Sequence, residues 1–137
     1  MDPLVAYEKG LNTWAKWVDD NIDPSKTTVF FQGTSPDHWN INNEDGNTCA
    51  GVTQPASKAS PSETIVAGQK IVEKVLGKMT NPVYFLNITN LSQLRPDGHP
   101  SKYGPLPNQN DCIYWCLSGV ADTWNQLLYA FLLQLSN

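Results

Sequence analysis

Basic residues, histidine, cysteine and long apolar runs are all scarce in this chain of 137 residues, and each scarcity removes a class of function. Nine Lys and Arg stand against thirteen Asp and Glu, for a net charge of −4. The positive residues are scattered, so no basic stripe exists to neutralise phosphates, and nucleic acid is not expected as a partner. The most apolar segment, residues 127–135, falls well short of the roughly 18 residues that a membrane span requires. The opening "MDPLVAYEKG" has neither a positive leader nor an apolar stretch, so no signal or transmembrane segment is expected in this chain. The three cysteines, Cys49, Cys112 and Cys116, make an odd count, which in a secretory protein implies a free thiol or a partner elsewhere. Cys112 and Cys116 form a C-x3-C pair that only Cys49, His38 and His99 could complete, at irregular spacing. Structural zinc sites use two compact ligand pairs, so no metal is expected, and no cofactor either. No internal repeat is present.

What the chain does have is the material of one ordinary domain. Five Trp, five Tyr and four Phe supply a core, and ten Pro with nine Gly predict long connections between few regular elements. Asp2-Pro3 reads as the cap and first turn of a helix through about Asp20, with Leu11, Trp14, Ala15, Val18 and Ile22 on one buried face and Trp14 and Trp17 in the core. Residues 27–33, "TTVFFQG", and 81–89, "NPVYFLNIT", read as short buried strands. Between them a helix is predicted from Ser62 to Leu76, closed by Gly77, and a last helix starts near Asp122 with Leu127, Leu128, Phe131 and Leu135 inward. Each strand is followed by a long segment, 34–61 and 91–110, with no period of either kind. Parallel strands joined through a helix bring the loops after their carboxyl ends to one rim, where α/β folds keep their chemistry. Two strands are too few for such a sheet, so the chain reads as a single partial domain over residues 1–137, the C-terminal part of a larger one. Asn87-Ile-Thr and Asn90-Leu-Ser match the glycosylation acceptor pattern and fit a lumenal location.

Three stretches then carry a resemblance: "KGLNTWAKWVDDNIDPSKTTVFFQGTSPDHWN", "RPDGHPSKYG" and "DCIYWCLSGVADTWNQLLYA". In this order and spacing the chain resembles the C-terminal part of the plant trichome birefringence-like (PC-esterase, SGNH-like) family of cell-wall polysaccharide O-acetyltransferases. The resemblance implies an α/β fold, the C-terminal part of an SGNH-like parallel-sheet sandwich with long irregular loops. It also implies an acetyl donor and a polysaccharide acceptor such as xylan, mannan or pectin, and a place on the lumenal side of a Golgi membrane protein. In that family a Gly-Asp-Ser motif in the N-terminal half supplies the nucleophile, and an Asp-x-x-His motif supplies the base and the group that orients it.

On this chain Asp111 takes the place of the motif Asp, Cys112 and Cys116 flank it, Trp115 lies between them, and Tyr114 stands where the motif has His. A phenol, with a pKa near 10 in model peptides, is ionised in only about one molecule in a thousand at neutral pH and does not replace an imidazole. No Gly-Asp-Ser occurs in the sequence, and Ser35, Ser62 and Ser101 lack any oxyanion-hole pattern. The chain is therefore expected to be a fragment or truncated member of the family, inactive alone without the N-terminal half. The alternatives are a non-catalytic carbohydrate-binding or interaction module and an SGNH-type acetyl esterase. His38, His99, Trp39 and Trp115 are the candidates for a substrate rim. For His99, a rescuing base or a sugar contact, the competing reading is a loop residue hydrogen-bonded to backbone, and for both tryptophans it is packing against a disulfide. Asp97 reads as a turn residue. Cys49 is expected to pair with Cys112 or Cys116, Cys112 being preferred, with the remaining thiol free.

Overall fold

A computed structural model describes residues 1–39, 48–59, 61–105 and 107–135. Part of the first long loop, residues 40–47 and 60, thus lies outside the described residues. The chain divides into two compact units, Met1–Thr34 with Pro61–Asn87, and Ser35–Ser60 with Ile88–Asn137.

The first unit holds two helices and two strands. Helix α1, Pro3–Asn21, begins where the Asp2 carboxylate accepts the N–H groups of Leu4 at 2.8 Å and Val5 at 3.2 Å. Its stripe of Leu11, Ala15 and Val18 is buried. Trp17 is not in the core: it is 55% exposed, because a rotation of about 100° per residue carries it off that stripe. Helix α2, Glu63–Leu76, starts on the Ser62 hydroxyl, which accepts the N–H of Ile65, and turns Val72 and Val75 onto Leu11 and Ala15. Strands β1, Val29–Gln32, and β2, Val83–Leu86, run parallel in the register Val29 to Val83 through Gln32 to Leu86. They are shorter than the predicted spans and mostly half-buried rather than buried. The pleat explains it. Phe31 and Phe85 pack with Trp14 against the helical core, while Phe30 and Tyr84 pair on the opposite face with ring centroids 5.5 Å apart. Asn81 ties the end of α1 to the start of β2, its side-chain amide donating to the carbonyls of Val18 and Ile22.

The second unit collects both segments that follow the strands. The stretch expected to be a loop contains the end of helix α3, Thr89–Gln93, and a 3-10 turn, Pro96–Gly98. Helix α4, Val120–Leu135, starts two residues before Asp122, whose carboxylate reaches back to accept the N–H of Gly119. Leu127, Leu128 and Phe131 are half-buried, but Leu135, expected to point inward, is 42% exposed at the last position of the helix. A disulfide joins Cys49 to Cys112, the preferred pairing, and leaves Cys116 as an exposed free thiol. Asn90 is exposed on α3, while Asn87 is half-buried with its Oδ1 out of reach of solvent. No helix among the described residues is long and apolar enough to cross a membrane.

Candidate functional site

The Asp-containing motif occupies residues 111–116 of the second unit, a loop without regular structure that is fixed by backbone hydrogen bonds at both ends. Asp111 and Ser101 exchange both of their backbone hydrogen bonds at 2.9 Å, an isolated antiparallel bridge. The carbonyl of Cys112 accepts the N–H of His38 at 3.0 Å, and the N–H of Cys116 donates to the carbonyl of Gly98 at 2.9 Å. The disulfide to Cys49 adds a covalent tie at Cys112. Two glycines make room for the loop: a Cβ on Gly104 would run into the Cβ of Asp111, and one on Gly98 would lie 3.1 Å from the Trp115 ring.

Within this frame the Asp111 carboxylate faces its own loop. Oδ1 accepts the N–H of Ile113 at 3.1 Å and of Tyr114 at 3.0 Å, an Asx-type turn that fixes the carboxylate relative to position 114. Oδ2 is buried and has no hydrogen-bond partner among the described residues. A buried carboxylate oxygen left without a partner is costly, and such groups in native folds call for an explanation. The Tyr114 side chain does not supply the missing donor; it is 68% exposed.

His38 and His99, expected at a rim, are almost fully buried and meet each other. His38 Nδ1 lies 2.7 Å from His99 Nε2. The outer nitrogens face main-chain carbonyls, His38 Nε2 that of Gln93 at 3.2 Å and His99 Nδ1 that of Tyr114 at 2.6 Å. Burial pushes both imidazoles below the usual histidine range; for His99 the neighbouring ring adds to this, while the carbonyls and the field of Asp37, Asp97 and Asp111 work against it. Trp115 stacks on His99 at 4.1 Å between centroids and donates its indole N–H to Ser35 Oγ at 2.6 Å. Trp124 meets it edge-on at 5.8 Å and donates to Ser92 Oγ. Trp39 is half-buried, and Asp97 is engaged by the Arg95 guanidinium at 2.9 Å. Ser62 is a helix cap and Ser101, at φ 51°, sits in the bridge to Asp111. Sequence reasoning did not single out Ser92 or Gln93, and met Ser35 and Trp124 without assigning either to this cluster. Small polar residues in loops and a Trp on a helix carry no local signal of a shared cluster, whereas Gly98 and Gly104 lie among prolines that mark a tight turn.

No group of three or more His, Cys, Asp or Glu side chains among the described residues is arranged to hold a metal ion.

The small parallel two-strand sheet with its helices is compatible with a fragment of an α/β SGNH-like fold. Residues 1–131 match the family described as "PC-Esterase: GDSL/SGNH-like Acyl-Esterase family found in Pmr5 and Cas1p", and the chain belongs to that family. It is 52% identical over 136 residues to protein trichome birefringence-like 43 of Arabidopsis thaliana, covering 95% of this chain and 37% of that protein. It is 52% identical over 134 residues to trichome birefringence-like 38 of the same plant, covering 96% of this chain and 35% of that protein. With trichome birefringence-like 6 the identity is 43% over 145 residues, covering 97% of this chain and 29% of that protein. The chain thus spans roughly a third of the length of the curated relatives it matches.

Proposed function

We propose that this chain is the acid-base end of a polysaccharide O-acetyltransferase domain, the C-terminal part of an SGNH-like sandwich, with acetyl groups passing to hydroxyls of a wall polymer such as xylan. The Asp111 carboxylate carries this reading. One oxygen is spent on holding the N–H of position 114, where the family motif places an imidazole, and the other is buried with no hydrogen-bond partner among the described residues. In a serine acyl-transfer site the orienting carboxylate takes an N–H from the histidine, which takes the proton from the serine as it attacks the acetyl carbonyl. With Tyr114 at that position and no Gly-Asp-Ser in these residues, this chain supplies the orienting group and neither the base nor the nucleophile. Its partners are the half of the domain that bears the serine, an acetyl donor and a polysaccharide, and its place is the Golgi lumen. Trp39 and Trp115, both half-buried, are the rim candidates with surface left for a sugar ring.

The test is direct assay of the 137-residue chain with xylan, mannan and pectin oligosaccharides and with a small acetyl ester. No turnover above a heat-denatured control is expected. Turnover that Asp111→Asn abolishes would overturn the reading.

A further inference from the structure

The four ring nitrogens of His38 and His99 have a proton count that the closed structure cannot exceed. Each outer nitrogen faces a carbonyl oxygen, which only accepts, so a proton is welcome there. The inner nitrogens face each other at 2.7 Å, a distance that fits one N–H···N bond and has no room for two opposed N–H groups. Three protons are the maximum while the rings stay in contact. Two histidines released into water and both protonated hold four. A metal between the rings is disfavoured by the same spacing, since two nitrogens on one tetrahedral zinc, with bonds of about 2.0–2.1 Å, sit about 3.3 Å apart.

The pair is also a mechanical element. His99 holds the carbonyl of Tyr114 and stacks on Trp115, and the His38 main chain holds the carbonyl of Cys112, so both histidines bear on the loop that carries Asp111. We infer that the His38–His99 pair is an acid-sensitive latch that positions the 111–116 loop, closed at neutral pH and released on mild acidification.

The sign follows from proton counting. Histidines in the released loop titrate near 6.5, so about a pH unit or more below that the open form holds nearly four protons, against at most three in the closed form. Acid therefore does not release the latch above about pH 6.5, and its open population rises by at least about tenfold for each pH unit below roughly 6. Burial, which pushes both rings toward neutrality, acts in the same direction. The charged and titratable groups around the pair are Asp37 on the first segment, Arg95 and Asp97 on and before the 3-10 turn, Asp111, Tyr114 and Cys116 on the loop, and Asp122 on α4. Asp37, Asp97 and Asp111 favour a first proton on the pair, but no carboxylate makes space for a second inner one. Release would be confined to the far side of the loop, because the disulfide keeps Cys112 tied. The inference does not depend on acetyl transfer and is read without activity.

The experiment is amide hydrogen exchange of the full chain between pH 5 and 7.5, corrected for intrinsic exchange, with nitrogen-15 spectra of the imidazoles on the same samples. Protection of the Cys116 amide should fall by about tenfold per pH unit below 6, while the His38 amide, bonded to the tied Cys112, and Val72 and Val75 of α2 keep theirs. In His38→Gln, which removes one titrating ring, this steep dependence should vanish. The imidazole spectra of the unaltered chain need no variant, and should never show two doubly protonated rings while the loop amides stay protected. Flat protection across a range in which both rings become fully protonated would overturn the inference.

Discussion

Tyr114 meets the Asp111 carboxylate through its main chain and not through its ring: the Tyr114 N–H donates to Asp111 Oδ1 at 3.0 Å, while the residue is 68% exposed. The turn that would present an imidazole to the carboxylate is therefore built, whatever side chain position 114 carries. Fusing a Gly-Asp-Ser half from a relative to this chain and making Tyr114→His should restore acetyl transfer. The fusion that keeps Tyr114 should run at least about 10³-fold slower, since oxyanion stabilisation and binding persist without the base. Rates of the two fusions on acetyl-acceptor oligosaccharides check this, and equal rates would show that position 114 is not the base.

The Cys49–Cys112 bond closes a loop of 63 residues. Chain-entropy reasoning gives a stabilisation of about 4 kcal/mol for such a loop, reduced by any structure in the reduced, unfolded chain. Cys112→Ser should lower stability by about 2–4 kcal/mol, and Cys116→Ser, which alters an exposed thiol, should stay within about 0.5 kcal/mol. Urea midpoints and mass spectrometry of unreduced peptides test the two together.

Gly104 is predicted to resist substitution although its sequence context looks permissive. A methyl group there meets the Cβ of Asp111 on a segment fixed by the 101–111 bridge, so neither side moves freely. Gly104→Ala should cost about 1–3 kcal/mol by overpacking. Gly10, with nothing near a Cβ, should gain about 0.5–1 kcal/mol as Gly10→Ala in the middle of α1. Opposite signs in denaturant unfolding are the expected outcome.

Asp19 is held below the usual carboxylate range chiefly by the N–H of Asn81, which outweighs the opposing effect of desolvation, with Thr80 and the charge of Lys16 adding to it. A depressed carboxylate contributes stability above its unfolded value, near 4, and loses it as pH falls through the lower folded value. Asp19→Asn should therefore be less stable than the parent at pH 7, with the gap narrowing toward pH 3. Denaturation midpoints at the two pH values decide it, and a constant gap would mean that the carboxylate charge is not involved.

Much of this was legible in the sequence where the cause is local. The caps Asp2 and Ser62, the stop at Gly77 and the stripe of Leu11, Ala15 and Val18 each follow from residues within one or two turns. The disulfide partner could be narrowed because both post-strand segments had to converge. Trp17 and Leu135 were misplaced because apolar character was given more weight than angular position and helix end. α3 has five residues and no period long enough to recognise, so it disappeared into a Pro-rich stretch. The meeting of His38 with His99 was out of reach for another reason. The two are 61 residues apart, each in aperiodic chain, and only the folded positions of the carbonyls of Gln93 and Tyr114 select the ring orientations that bring them together.

The exposed thiol of Cys116 opens an experimental route into the loop. The other two cysteines are locked to each other, so a maleimide reagent finds one target in the chain. That target sits next to Trp115 and one residue beyond it lies Leu117, itself 85% exposed. A fluorophore or spin label attached there would report the loop's motion in real time, in a protein that needs no cysteine added or removed for the purpose.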